Sequence, residues 1–270
     1  MKPEIKRIFS QNSTSYYYSS LIFPREIRED VFKLYAYVRV ADDYVDDKPQ
    51  QPERLQEMRE KTFENWESGE TGDLVIDSFL ETARENRFER EWVDAFLTSM
   101  EMDLEKSNYE SMEETLKYIH GSAEVIGLMM VRILNLDEKA ERHAKLLGRS
   151  MQYCNFLRDV KEDQKLGRGY IPDEEMKKYG LDNLENPEGQ EYRDFIRSEV
   201  ERYRDWQEEA EKGMKYIPYR VRVPVILSSR IYKWTAERIY DDPSGAYRDK
   251  KKPGKLTIAR LLLGSLPGRP

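Results

Sequence analysis

Gln152-Tyr153-Cys154-Asn155-Phe156-Leu157-Arg158-Asp159-Val160-Lys161-Glu162-Asp163 is the stretch whose reading decides the fold. Taken at the helical period, Asp163, Asp159, Asn155 and Gln152 fall at spacings of four, four and three residues, so one helix face carries four oxygen-bearing side chains. Tyr153, Cys154, Phe156, Leu157 and Val160 lie between them. A solvated acidic face would not interleave with so much apolar bulk, so the stripe is expected to point into a cavity. A second segment repeats the arrangement: Asp46, Asp42, Arg39 and Tyr35 are spaced by four, three and four residues among Leu34, Ala36, Val38, Val40 and Val45.

Carboxylates one helical turn apart repel each other, and desolvated carboxylates are costly unless a cation pairs with them. Arg39 and Arg158 are candidate neutralising cations. Magnesium is another, because it takes oxygen ligands and leaves coordination positions to water and substrate phosphates. Two facing Asp-x-x-x-Asp helices therefore point to a diphosphate held through magnesium. The competing reading is a solvated acidic face, ordinary in a chain that is 36% charged; the apolar neighbours of both stripes argue against it.

The chain has 270 residues and a net charge of −7, which argues against general nucleic-acid binding. A single cysteine, Cys154, excludes an intramolecular disulfide and a Cys-based zinc site, and reads as a small buried hydrophobe. His120 and His143 have no motif partners and read as structural or exposed. Residues 1–7 lead into Ser10-Gln11-Asn12-Ser13 rather than an apolar signal-peptide core, and the apolar run 125–131 stops at Arg132, too short to span a bilayer. A cytoplasmic protein is expected, with contact limited to the membrane surface.

No proline occurs between Pro52 and Pro172, where the usual frequency of about 5% would place several, and alternating strand patterns are absent. Helices are expected at 24–47, 52–68, 73–86, 89–105, 111–133, 137–165, 191–215 and 217–240, with a loop at 180–189. Gly69, Gly121, Gly148, Gly180 and Gly213 mark helix ends or close packing. The expectation is an all-α, single-domain helical bundle over residues 1–270.

The chain resembles the squalene and phytoene synthase family, closest in detail to the archaeal-type phytoene synthases. The likeness rests on Asn12-Ser13-Thr14-Ser15-Tyr16, on the segment 35–46, on 118–127, on 152–163, and on Gly167-Arg168-Gly169-Tyr170-Ile171-Pro172. It runs in order from about residue 8 to 260. The resemblance implies an isoprenoid synthase fold, a helical bundle around a central apolar cavity, in which two prenyl diphosphates are joined head to head. It implies a magnesium cluster on Asp42, Asp46, Asn155, Asp159 and Asp163, with Mn²⁺ as a substitute. Arg39, Arg158 and Arg168 would contact diphosphate. Ser13, Ser15 and Tyr16 would form an N-terminal diphosphate-binding segment, and Tyr35, Gln152, Asn155 and Tyr170 would line the same polar end.

The implied chemistry has two stages, a condensation to a cyclopropylcarbinyl diphosphate and an ionising rearrangement of that intermediate. Proton loss then gives phytoene or dehydrosqualene, and hydride from NADPH gives squalene. No Gly-x-Gly-x-x-Gly fingerprint is present, so NADPH is not expected to be required. Tyr35, Tyr37 and Phe32 are candidates to stabilise cationic character through their rings. Small Ser19 and Ser20 leave room for a C20 chain, favouring geranylgeranyl diphosphate and phytoene over a C30 enzyme using farnesyl diphosphate.

Three positions depart from the family pattern without removing a metal ligand. Asn12 and Tyr16 stand where His and Phe are common, and Gly169 replaces a bulky residue and is expected to loosen the loop before Tyr170. A basic amphipathic tail at 248–270, with Lys250-Lys251-Lys252, Lys255 and Arg260 among leucines, suits an anionic membrane surface, a last helix packed on the bundle, or a lysine that reaches diphosphate. A non-catalytic lipid-binding or assembly protein is the alternative of a different class. Loss of metal carboxylates would be expected there, and all four are present.

Overall fold

The computed structural model describes residues 2–12 and 15–265, excluding the side chains of Asn12, Ser15 and Tyr16. Its elements follow one another as α1 (Pro3–Asn12), α2 (Ser15–Ser20), α3 (Arg25–Asp46), α4 (Pro52–Glu64), α5 (Leu74–Glu85), α6 (Arg90–Glu105) and α7 (Met112–Ile119). A π-helical turn, His120–Glu124, joins α7 to α8 (Val125–Ile133). Then come α9 (Glu141–Leu166), α10 (Asp173–Lys177), α11 (Gln190–Glu211), α12 (Tyr219–Asp241), α13 (Pro243–Arg248) and α14 (Lys255–Ser265). No strand occurs among the described residues, and the lone bridge pairs Asn108 with Gly169.

The all-α expectation holds, and the eight long helices lie within a few residues of their expected bounds. One difference is the π-helical turn, which interrupts the helix expected over 111–133. Short helices α1, α2 and α13 are not among the expected elements, since brief pieces carry too few turns for periodicity to register, whereas α14 agrees with the reading of the tail as a last packed helix.

Local chemistry explains the helix ends that matter. Pro24, with φ of −49°, precedes α3 and presets its first turn. Asp73 caps α5 by accepting from the Val75 and Ile76 N–H groups at 2.8 and 3.1 Å. At the end of α9, Gly167 adopts a left-handed φ of 79°, and the Arg168 N–H donates back to the Asp163 carbonyl at 2.9 Å. That closure returns the chain toward the acidic stripe instead of letting it run into solvent.

Glycine sets how closely the central helices approach. A Cβ on Gly127 would sit 2.4 Å from the Ala144 carbonyl oxygen, and one on Gly148 would sit 2.4 Å from that of Ala123. The α8 and α9 backbones therefore touch. Buried side chains gather in two main groups, one around Tyr37, Phe79 and Phe96, the other around Tyr153, Phe195 and Tyr203. Between α3, α8, α9 and α12 a cavity of about 410 Å³ remains.

Candidate active site

Helices α3 and α9 bring the two polar stripes to the same end of that cavity. Tyr35 and Asp42 from α3 and Gln152 and Asn155 from α9 line it, with Phe96, Met100, Ile126 and Met151 as apolar wall. Farther in, Phe23, Leu134 and Ile217 surround apolar space. Asn155 Nδ2 donates to Gln152 Oε1 at 3.2 Å, while the buried Asn155 Oδ1 finds no partner among the described residues.

Each acidic motif is met by cations. Arg39 Nη1 lies 2.9 Å from Asp42 Oδ2, and the same guanidinium also pairs with Asp43. Arg158 engages Asp159 with two parallel bonds, Nε to Oδ1 at 2.8 Å and Nη2 to Oδ2 at 2.5 Å. Lys250 Nζ joins from the tail at 2.6 Å from Asp159 Oδ1. Arg168 Nη1 lies 2.6 Å from Asp46 Oδ1, and its Nη2 donates to the Val45 carbonyl at 2.7 Å. Asp163 makes no ion pair with another described residue.

This uneven pairing splits the carboxyl groups. Asp42 is 38% accessible at its side chain, yet the space it reaches is the protein-walled cavity; burial and the neighbouring Asp46 push its carboxyl up to about 7. Asp163 is pushed up to about 8 by burial, then by Asp159, with Asp46 of the first motif adding to the effect. Arg168, directly after α9, meets Asp46 of α3, which ties the two acidic motifs to the same end of the cavity. Burial would raise Asp159 too, but Arg158 and Lys250 outweigh it and hold that carboxyl below its ordinary value.

The donor set is all oxygen. Among the described residues, no three His, Cys, Asp or Glu side chains gather as a ready metal cage. What the site offers instead is a pair of carboxyl groups on each wall and the partnerless Asn155 Oδ1. This arrangement fits a hard divalent cation that completes its shell with water and phosphate.

Several expected placements need correction. Tyr170 does not line the cavity: it is 8% exposed, stacks on Phe156 at 4.5 Å between centroids, and donates from its hydroxyl to Asp103 Oδ1 at 2.8 Å. Tyr37 is stacked on Phe79 and bonded to Thr62, and Phe32 is sealed in the core against Phe9, so neither ring reaches the cavity. Tyr35 does, stacked on Phe9 at 3.8 Å. Gly169 does not loosen its loop: its N–H donates to the Ser107 carbonyl at 2.7 Å, and a Cβ there would meet Asn108 Oδ1 at 2.9 Å. Ser13 lies outside the described residues, as do the side chains of Ser15 and Tyr16.

Other placements agree with expectation. Cys154 is buried, its thiol pushed up to about 12 by burial. His120 pairs with Glu124, and His143 Nδ1 lies 2.9 Å from the Glu209 carbonyl oxygen. The tail forms α14, whose Ile258 packs with Leu227 and Ile231, while Lys250 reaches the polar end. The reading of the tail as a last helix packed on the bundle holds, and Lys250 is paired there with Asp159.

Asp103 is a buried acid beside the site that sequence reading did not single out. It is 5% exposed and accepts from the Tyr118 and Tyr170 hydroxyls at 2.7 and 2.8 Å, and Arg168 Nη1 lies 3.4 Å from the same Tyr170 hydroxyl. Burial raises its carboxyl to about 6 against the pull of Arg168. A signal existed: Val93, Phe96, Met100 and Asp103 are spaced three, four and three, so the acid continues a buried apolar stripe.

A family model described as squalene/phytoene synthase matches residues 9–258. A chloroplastic phytoene synthase of an Oncidium hybrid cultivar is 27% identical over 250 residues, covering 86% of this chain, which spans 60% of that relative's length. The 15-cis-phytoene synthase of Pantoea ananas is 26% identical over 265 residues, covering 91% of this chain and 85% of the relative. Among solved structures, a dehydrosqualene synthase superimposes with a TM-score of 0.88 at 23% identity, covering 97% of this chain and 94% of that one.

Proposed function

The chain belongs to the squalene/phytoene synthase family, and on that premise we propose that it is a prenyltransferase that condenses two geranylgeranyl diphosphates head to head to phytoene. The observation that carries this reading is a cavity with a carboxyl group and two amides, Asp42, Gln152 and Asn155, beside Tyr35 at one end, and a mostly apolar wall beyond, in which Ser19, Ser20, Ser228 and His143 are polar members. Such a shape suits a long hydrocarbon with a charged head.

Asp42, Asp46, Asn155, Asp159 and Asp163 would hold magnesium, which would supply Lewis acidity toward the leaving diphosphate of an allylic substrate. Arg39, Arg158, Arg168 and Lys250 neutralise the departing diphosphate through directed N–H groups. The double bond of the second substrate then attacks the allylic cation, and the resulting tertiary cation loses a proton as the ring closes, giving a cyclopropylcarbinyl diphosphate. This second diphosphate departs from the same polar end, and the rearranged cation loses a proton. Phe96, Met100, Ile126 and Met151 keep water from trapping the cations, while the Tyr35 ring offers its face to positive charge.

Support for a C20 substrate comes from Ser19 and Ser20. Both are 3% exposed and line the cavity, where larger side chains would shorten it. Incubation with farnesyl or geranylgeranyl diphosphate, Mg²⁺, and with or without NADPH, followed by mass analysis, tests the reading. A C40 hydrocarbon formed without NADPH is expected. A C30 product alone would replace it with a squalene or dehydrosqualene synthase, and no diphosphate release from either substrate would leave a lipid-binding protein.

A further inference from the structure

The α12 helix carries a partly exposed face and an unusual charge. Between residues 212 and 236 the chain has six Lys and Arg and no Asp or Glu, although its net charge is −7. Helix α14, packed along α12 through Ile258, adds Lys255 and Arg260, again with no acidic residue. Arg220, Arg230, Lys255 and Arg260 make no ion pair with another described residue. Arg220 and Arg230 on α12 with Lys255 and Arg260 on α14 thus put cations without an ion-pair partner among the described residues on two adjoining helices.

Apolar side chains accompany these cations. Tyr219 is 58% exposed at the start of α12, and Val223, Ile226 and Arg230 follow it at spacings of four, three and four on one helix face. Val223 and Ile226 are half-buried and join none of the core groups. Leu256 on α14 is 80% exposed and Leu263 50%. Helix α2 packs on α12 as well, through Ser19 Oγ 3.1 Å from Ser228 Oγ, and brings Leu21 and Ile22 to the surface at 38% and 37%. Beneath this surface lies the inner part of the cavity, where Ser20, Pro224, Val225 and Ser228 are wall.

We propose that the face formed by α2, α12 and α14 docks on an anionic lipid bilayer and places the inner end of the cavity against it. Exposed aliphatic and tyrosyl side chains enter the headgroup boundary, and the cations meet acidic headgroups. The hydrocarbon product would leave by the shortest apolar route, between α2 and α12. This exit step rests on the prenyltransferase reading; the docking does not.

Co-sedimentation of the full chain with vesicles tests it. Binding is expected to phosphatidylcholine vesicles containing about one third phosphatidylglycerol, against little binding to phosphatidylcholine alone, with loss at high salt. Arg220→Gln with Arg230→Gln should weaken binding on the order of 25-fold, about five-fold per cation removed. Leu256→Ser with Leu263→Ser should weaken it on anionic vesicles without changing its salt dependence. None of the four lines the cavity or pairs with a residue of the polar end, so diphosphate release in detergent should match the parent chain. Equal sedimentation with neutral and anionic vesicles, or unchanged binding by both double variants, would overturn the proposal. So would absent vesicle binding with a dimer that these substitutions dissociate, because the face would then be an interface between copies.

Discussion

Arg168 and Asp46, 122 residues apart in the chain, meet with Nη1 and Oδ1 at 2.6 Å. The contact closes the polar end, because the same guanidinium holds the Val45 carbonyl and the loop that carries it follows directly from α9. One arginine thereby sets the position of the first acidic motif relative to the second. Arg168→Ala should lower kcat by about 100-fold or more, the cost of losing one preorganised donor to a developing charge. Arg168→Lys keeps the charge but not the fork that serves two acceptors, so it should fall between. Steady-state diphosphate release measures both, and an unimpaired Arg168→Ala would remove this role.

Asp103 supports that arginine from behind. As the shared acceptor of the Tyr118 and Tyr170 hydroxyls, it leaves one of them unsatisfied when changed to Asn, at a cost of about 1–3 kcal/mol. Asp103→Asn should therefore lower Tm by several degrees and also reduce turnover, whereas Tyr118→Phe should lower Tm less because it removes donor and need together. Thermal unfolding beside kinetics separates the two effects. Equal Tm for Asp103→Asn and the parent chain would show that the buried carboxyl is not bearing this network.

The raised carboxyls predict an inverted pH dependence for the metal-free protein. Asp163 titrates near 8 in the fold against an ordinary value of 3.8, so between those pH values the folded state binds more protons than the unfolded chain. Stability contributed at this site is then present at low pH and lost as pH rises toward 8 and beyond. Asp159 acts oppositely, its contribution lost as pH falls below the ordinary carboxylate range. Asp163→Asn should raise Tm at pH 8 by a few degrees and leave it nearly unchanged at pH 4, with metal removed by chelation. A parallel shift at both pH values would contradict the assignment.

Substrate length has its own test. Ser20 donates to the Tyr17 carbonyl at 2.9 Å and leaves the cavity open beside it. Ser20→Phe should fill that space, cutting turnover of geranylgeranyl diphosphate by at least about ten-fold while sparing farnesyl diphosphate. Competition between the two substrates, read by product mass, gives the ratio directly. Equal losses for both would mean that the residue does not measure the chain.

The residues that sequence placed well share one property, which is that their placement follows from local periodicity. Tyr35, Arg39, Asp42 and Asp46 lie on one face because a helix repeats every 3.6 residues, and so do Gln152, Asn155, Asp159 and Asp163. Misplaced residues belonged to positions where neighbours from elsewhere decide. Tyr37 and Tyr35 are two residues apart on the same helix and so point in different directions, one onto Phe79 and one into the cavity. Gly169 was read by its own flexibility, yet a tight pairing with Ser107 and Asn108 holds it.

By itself the sequence determined the helices, the two acidic stripes and the family resemblance, because each rests on spacing along a single segment. Only the tertiary structure decided which donor meets which carboxylate: Arg168 with Asp46, Lys250 with Asp159, and two tyrosine hydroxyls with Asp103. Hydrogen bonds and ion pairs act over about 3 Å, so which of the 45 Lys and Arg residues reaches a given acid depends on how distant helices pack, and no local period encodes it.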